Sequence, residues 1–148
     1  MPSWAPSGRG RTRSRTGRRY FPDGKRLYVA YRGAGVVAVI DSAIMTLITT
    51  VDAGPSAPRK VAITPSGARV YVTENTSGEV SVIGTATNTV VVPIPVNQGL
   101  DGVEVPLDGK RVYVADRNNA RVAVIDAATN SVVTVGARRA CHRDTRCC

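Results

Sequence analysis

Residues 141 to 148 read CHRDTRCC, so all three cysteines and the single histidine of the chain fall within eight positions. Thiolate sulfur and imidazole nitrogen are the ligands zinc prefers, and four of them are gathered here. Their spacing matches neither a structural zinc pair nor the Cys-x-x-Cys-His of haem attachment. Cys141, His142, Cys147 and Cys148 are therefore expected to form an oxidisable tail, with metal binding as the alternative. Upstream of them the chain holds no cysteine and no histidine, so the usual nucleophile and base pairs and the soft-metal ligands are missing from its body. No Gly-rich phosphate cradle opens a helix, and no resident cofactor is expected.

The carboxylates left to do chemistry are scattered. Asp41 and Asp126 each close an apolar run, VVAVID and RVAVID. A carboxylate in that place can accept hydrogen bonds from turn amides two residues on, the expected role; metal or acid/base work is the alternative. Glu104 interrupts GVEVP, where a carboxylate is unexpected. It is the candidate for a channel-facing residue, meeting either water or a bound cation.

What positions these residues is a phrase written three times: RLYVAYRGAGVVAVID at 26–41, RVYVTENTSGEVSVIG at 69–84 and RVYVADRNNARVAVID at 111–126. The copies start 43 and then 42 residues apart. Within each copy, β-branched and aromatic residues sit between clusters of Gly, Asn, Asp and Pro, the pattern of short strands. In the second copy the strands are expected at 59–64, 69–74, 79–83 and 89–96. Four strands per repeat make an antiparallel meander with two apolar faces, so neighbouring copies must stack on each other. A four-stranded unit of this length is the module of a β-propeller blade. The expected fold is therefore all-β: a partial propeller of three blades at 20–58, 59–100 and 101–136, between disordered basic termini at 1–19 and 137–148.

The phrases PDGKRLYVA, VYVTEN, VAVID and AATNSVV resemble the YVTN family of β-propeller repeats, found in surface-layer and secreted proteins of bacteria and archaea. The likeness covers roughly residues 20–135. It implies about seven blades around a central channel, a non-catalytic binding or display role, and an extracellular or cell-surface location. Related propellers also include lactonase-like hydrolases and redox proteins, so a part of an enzyme is the rival reading. The first copy carries RRYF where the second has VAIT, which makes its first strand a degraded one. The third copy is expected to end in a shortened strand. Both breaks fall inside a repeat, which suggests part of a longer propeller gene with unrelated or frame-shifted ends.

Tyr28, Tyr71 and Tyr113 recur at one position of the second strand. Packing against the neighbouring blade, with the hydroxyl reaching the edge, is their expected role; ligand stacking is the alternative. In a meander, the loops after the second and fourth strands emerge on one face. That face is expected to collect Arg32, Glu74, Asn75, Gln98, Asp101, Arg117, Asn118 and Asn119, and to receive any protein or small-ligand partner.

The net charge of +9 belongs to the ends: residues 1–19 carry six arginines and no acid, while residues 20–135 carry ten basic and ten acidic side chains. Nucleic acid could thus be held only non-specifically, through phosphate contacts from the tails. No apolar run approaches the ~20 residues of a membrane span, and no apolar stretch follows the basic start as a secretory leader requires. Open apolar faces on the first and third blades are expected to promote self-association.

Overall fold

The computed structural model describes residues 18–20, 24–53 and 57–137. They form twelve strands and, among the described residues, no helix. The strands are β1 (Arg18–Tyr20), β2 (Arg26–Tyr31), β3 (Val36–Asp41), β4 (Thr46–Asp52), β5 (Pro58–Ile63), β6 (Arg69–Glu74), β7 (Glu79–Gly84), β8 (Thr89–Pro95), β9 (Leu100–Glu104), β10 (Arg111–Asp116), β11 (Arg121–Asp126) and β12 (Ser131–Ala137). They pair antiparallel in sequence order as three four-stranded sheets, β1–β4, β5–β8 and β9–β12. Adjacent sheets meet mainly at their first two strands, β1 and β2 against β5, and β5 and β6 against β9. That convergence puts the first strand of each sheet innermost, as in a propeller. The expected shortening of the last strand is not found: β12 has seven residues, as β4 and β8 do.

The sheets are built to one register. Each third-to-fourth strand ladder shifts at the same repeat position, between Val39 and Ile40, Val82 and Ile83, and Val124 and Ile125. The extra residue of each bulge is Ile48, Val91 or Val133, and all three are exposed on the outer strand. A bulge increases local twist, and here it repeats with the blade.

The core lies between blades rather than within them. One apolar cluster joins Tyr28, Val37, Val39 and Val51 of the first sheet to Val61, Val70, Val72 and Ile83 of the second. Another joins Tyr71, Val80, Val82 and Ile94 to Leu100, Val112, Val114 and Ile125 of the third. Successive side chains of a strand point to opposite faces, so one strand feeds both clusters. Each fully buried aliphatic side chain contributes roughly 1.5–3 kcal/mol, which makes the stack, not the single sheet, the stable unit.

The outer faces of the stack differ. Leu27, Val29, Ala38 and Ile40 of the first sheet are 2–9% exposed, so the open face expected there is covered. The third sheet has the open face that was expected: Tyr113 is 38% and Val122 40% exposed, whereas their counterparts Tyr71 and Val80 are fully buried.

Candidate functional site

The loops at one end of the blades do converge. The loop after β6 abuts the loop after β8: Val96 N–H donates to Gly78 O at 2.8 Å, and Gly99 N–H to Asn75 O at 3.0 Å. Arg117 N–H then donates to Gly99 O at 3.0 Å, carrying the chain of bonds into the third blade. The approach needs glycine. A Cβ on Gly78 would lie 2.5 Å from the Asn97 carbonyl carbon, and one on Gly99 would strike the Asn118 side chain. The result is a ledge across blades two and three from which Gln98, Arg117, Asn118 and Asn119 project, all exposed. Arg32 is exposed on the corresponding loop of the first blade.

Beneath the ledge, polar side chains tie blades together. Asn75 Nδ2 donates to Leu100 O at 3.0 Å, and Thr73 Oγ1 to Asp101 O at 2.8 Å. Arg59 Nε meets Asp101 Oδ1 at 2.9 Å, both groups partly screened by solvent. Asp116 is buried and accepts from Asn119 N and Nδ2. Two residues expected on the loop face are not presented there. Asp101 belongs to β9 and is an ion-pair partner; Glu74 ends β6 and is 1% exposed.

Glu74 is the most perturbed group among the described residues. Its Oε1 accepts from Ser81 Oγ at 3.2 Å, and its buried Oε2 has no hydrogen-bond partner. Burial pushes the carboxyl up from 4.5 to about 8; the Ser81 hydrogen bond lowers it, and repulsion from Glu79 and Asp52 raises it further. Glu74 is thus a neutral acid at pH 7, able to donate a proton.

Glu104 was expected to face the channel. It ends β9 directly opposite Tyr113, exposed, at the repeat position of buried Ala62. Residues directly opposite each other on paired strands share a face, so Glu104 lies on the open face of the third sheet. Asp41 and Asp126 cap turns: Asp41 Oδ1 accepts from Ala43 N at 2.9 Å, and Asp126 Oδ1 from Ala128 N at 2.8 Å.

At the opposite end of the blades a cavity of about 530 Å³ opens between the second and third sheets, lined in part by Arg69, Tyr71, Asp108, Lys110 and Asp126. Two of its charged side chains serve the blades. Arg69 Nη1 donates to Ala127 O at 2.7 Å, and Asp108 Oδ1 accepts from Lys110 N at 3.0 Å. Among the described residues no three His, Cys, Asp or Glu side chains gather as a metal site, and no helix is long and apolar enough to cross a membrane. Cys141, His142, Cys147 and Cys148, and the arginines of 1–17, lie outside the described residues.

Sequence reasoning passed over Arg59, Thr73 and Ser81. Arg59 had a signal, since it and Asp101 occupy the same position of consecutive innermost strands, with opposite charge.

No curated protein matches the chain. Among solved structures, the hydrazine synthase of Kuenenia stuttgartiensis is similar, with a TM-score of 0.77 and 26% identity over 80% of this chain. The likeness covers 34% of that protein, so this chain spans about a third of its length. The model of the family described as lactonase, 7-bladed β-propeller matches residues 6–94. The match runs through more than half of the sequence and the sheets stack as blades, so the chain belongs to the lactonase 7-bladed β-propeller family.

Proposed function

We propose that this chain is a three-blade part of a propeller that binds rather than catalyses, through the ledge that carries Gln98, Arg117, Asn118 and Asn119. The observation that carries the reading is the division of labour at that end of the blades. Asn75, Thr73, Asp101 and Arg59 are spent on bonds between blades, while the ledge above them is fixed by backbone hydrogen bonds and keeps the amides of Gln98 and Asn118 and the Arg117 guanidinium in solvent; Asn119 is exposed beside them, with its Nδ2 bonded to Asp116. A rigid surface of donors and acceptors suits a polar partner, a protein segment or a small hydroxylated ligand. The repeat phrases support a YVTN-type propeller, and with it an extracellular or cell-surface setting.

An enzyme is the second reading, favoured by Glu74 and by the family's name. A buried neutral acid with a free oxygen is the kind of group that catalytic sites employ. The test is hydrolysis of five- and six-membered lactones by the purified chain at pH 7, followed by acid release. The binding reading expects no rate above buffer. Saturable hydrolysis that Glu74→Gln abolishes would replace it with the enzyme reading.

A further inference from the structure

The turn between the third and fourth strands reads TATNT at 85–89 in the second blade, AATNS at 127–131 in the third and SAIMT at 42–46 in the first. In the second and third blades it closes on hydroxyls: Thr87 Oγ1 pairs with Thr89 Oγ1, and Thr129 Oγ1 with Ser131 Oγ, each at 2.7 Å. Asn88 and Asn130 follow, with φ of 53° and 54°, left-handed backbone that asparagine tolerates better than most side chains. The first blade has Ile44 and Met45 at these two positions, and Met45 takes the same backbone at φ 56°. Ile44 is 67% and Leu47 56% exposed, with Met45 and Ile48 exposed beside them. The counterparts of Leu47, Val90 and Val132, pack against the cores between blades. The first blade thus gives up a hydroxyl pair and a favoured asparagine and holds apolar side chains in water. The fold does not require that exchange, since the other two blades close without it.

Charge says what such a corner meets. Residues 42–51 carry no charge, and the one acid at the turn, Asp41, has its Oδ1 taken up by Ala43 N at 2.9 Å and Ile44 N at 3.3 Å. Ser42 N donates to Lys25 O at 3.0 Å, which sets the exposed Lys25 beside the turn. The chain that leads to this place, residues 1–26, carries eight basic side chains and one acid. Its first described strand, β1, lies three strand spacings from β4, about 15 Å. The seventeen residues before Arg18 span up to ~55 Å when extended, so their arginines reach any surface the corner touches. We propose that the outer corner of the first blade, Ile44, Met45, Leu47 and Ile48, seats this chain on an anionic lipid surface. The four side chains enter the headgroup region, and the arginine-rich segment holds the lipid phosphates. Either signal alone is a weak anchor; an apolar wedge and a basic segment together make a stable one. Burial stops at the headgroups, where water still satisfies the free backbone groups of β4. The corner lies at the end of the blades opposite the loop ledge, so the inference is independent of that ledge and leaves it facing solution.

The test uses the full chain and vesicles of phosphatidylcholine with about 30% phosphatidylserine. The natural chain is expected to sediment with them about tenfold or more better than with vesicles of phosphatidylcholine alone. Ile44→Thr combined with Met45→Asn writes the second blade's turn into the first, so the melting temperature should hold or rise while binding falls about tenfold. In the natural chain, the anionic vesicles should slow the oxidation of Met45 by dilute hydrogen peroxide severalfold, read by mass spectrometry. Should the double variant melt lower, that second measurement decides. Five results would overturn the proposal: no binding to the anionic vesicles; equal binding to both kinds; a folded double variant that binds as tightly as the natural chain, the mark of the arginines acting alone; Met45 oxidised at one rate with and without vesicles; or, without lipid, a discrete dimer that the two substitutions dissolve, which would make a second copy the occupant of the corner.

Discussion

At the scale of single residues, the tyrosines were legible and Glu74 was not. Three tyrosines at one repeat position are expected to pack against a neighbouring blade, with ligand stacking as the alternative; Tyr28 and Tyr71 are fully buried between blades and Tyr113 is 38% exposed. Glu74 closes the strand expected at 69–74 and borders the polar loop NTSG, so it reads as a residue of the loop face. Yet it continues the alternation of Val70 and Val72, and that parity takes it inward with them. Its pH dependence follows from the raised pKa of about 8. The folded chain binds this proton more tightly than the unfolded chain, whose carboxyl titrates near 4.5. Below that value the group is neutral in both states and costs nothing. As pH rises toward 8 the unfolded state alone ionises, so stability is lost across that window and stays lost above it. Glu74→Gln should therefore change stability little at pH 4 and raise it by roughly 2–4 kcal/mol at pH 8, read from urea unfolding at both pH values. An equal effect at the two pH values would show that ionisation is not the cause.

At the scale of elements, repeat spacing carried the strands and their turns, because each blade uses the same positions for the same backbone needs. The loop between the second and third strands ends on Gly35, Gly78 and Ala120, with φ of 68°, 77° and 50°. A left-handed residue with a Cβ costs roughly 1–2 kcal/mol, so Ala120→Gly should stabilise the chain, by about 0.5 kcal/mol after the glycine's entropy is counted. Gly78→Ala should cost roughly 2 kcal/mol or more, since its Cβ would meet backbone at 2.5 Å. Thermal melts of the two variants should move in opposite directions; movement in the same direction would contradict the shared loop geometry. The innermost strand was the element misread. Its side chains point at the blades on either side, so Glu104 shares a face with Tyr113 instead of facing the channel. Period alone does not say whether a strand presents its faces or its edge to an opening.

At the scale of the whole molecule, the sequence made the blade count plain, while the difference between the two outer faces was hidden. The first and third units look equally incomplete in the sequence, because the pattern of a repeat does not say how far its outer face is buried. In the folded chain the first sheet is covered on both faces and the third on one. The fold is an ordered stack of three blades, joined by two apolar interfaces and left open on the outer face of the third. Hydrogen exchange followed by mass spectrometry, on dilute chain, reads it strand by strand. The ladders β2–β3 and β6–β7 should exchange slowest, and β10–β11, lacking a cover beyond Tyr113 and Val122, about tenfold faster or more. Protection of β10–β11 equal to that of β6–β7, or uniform fast exchange throughout, would contradict the stack.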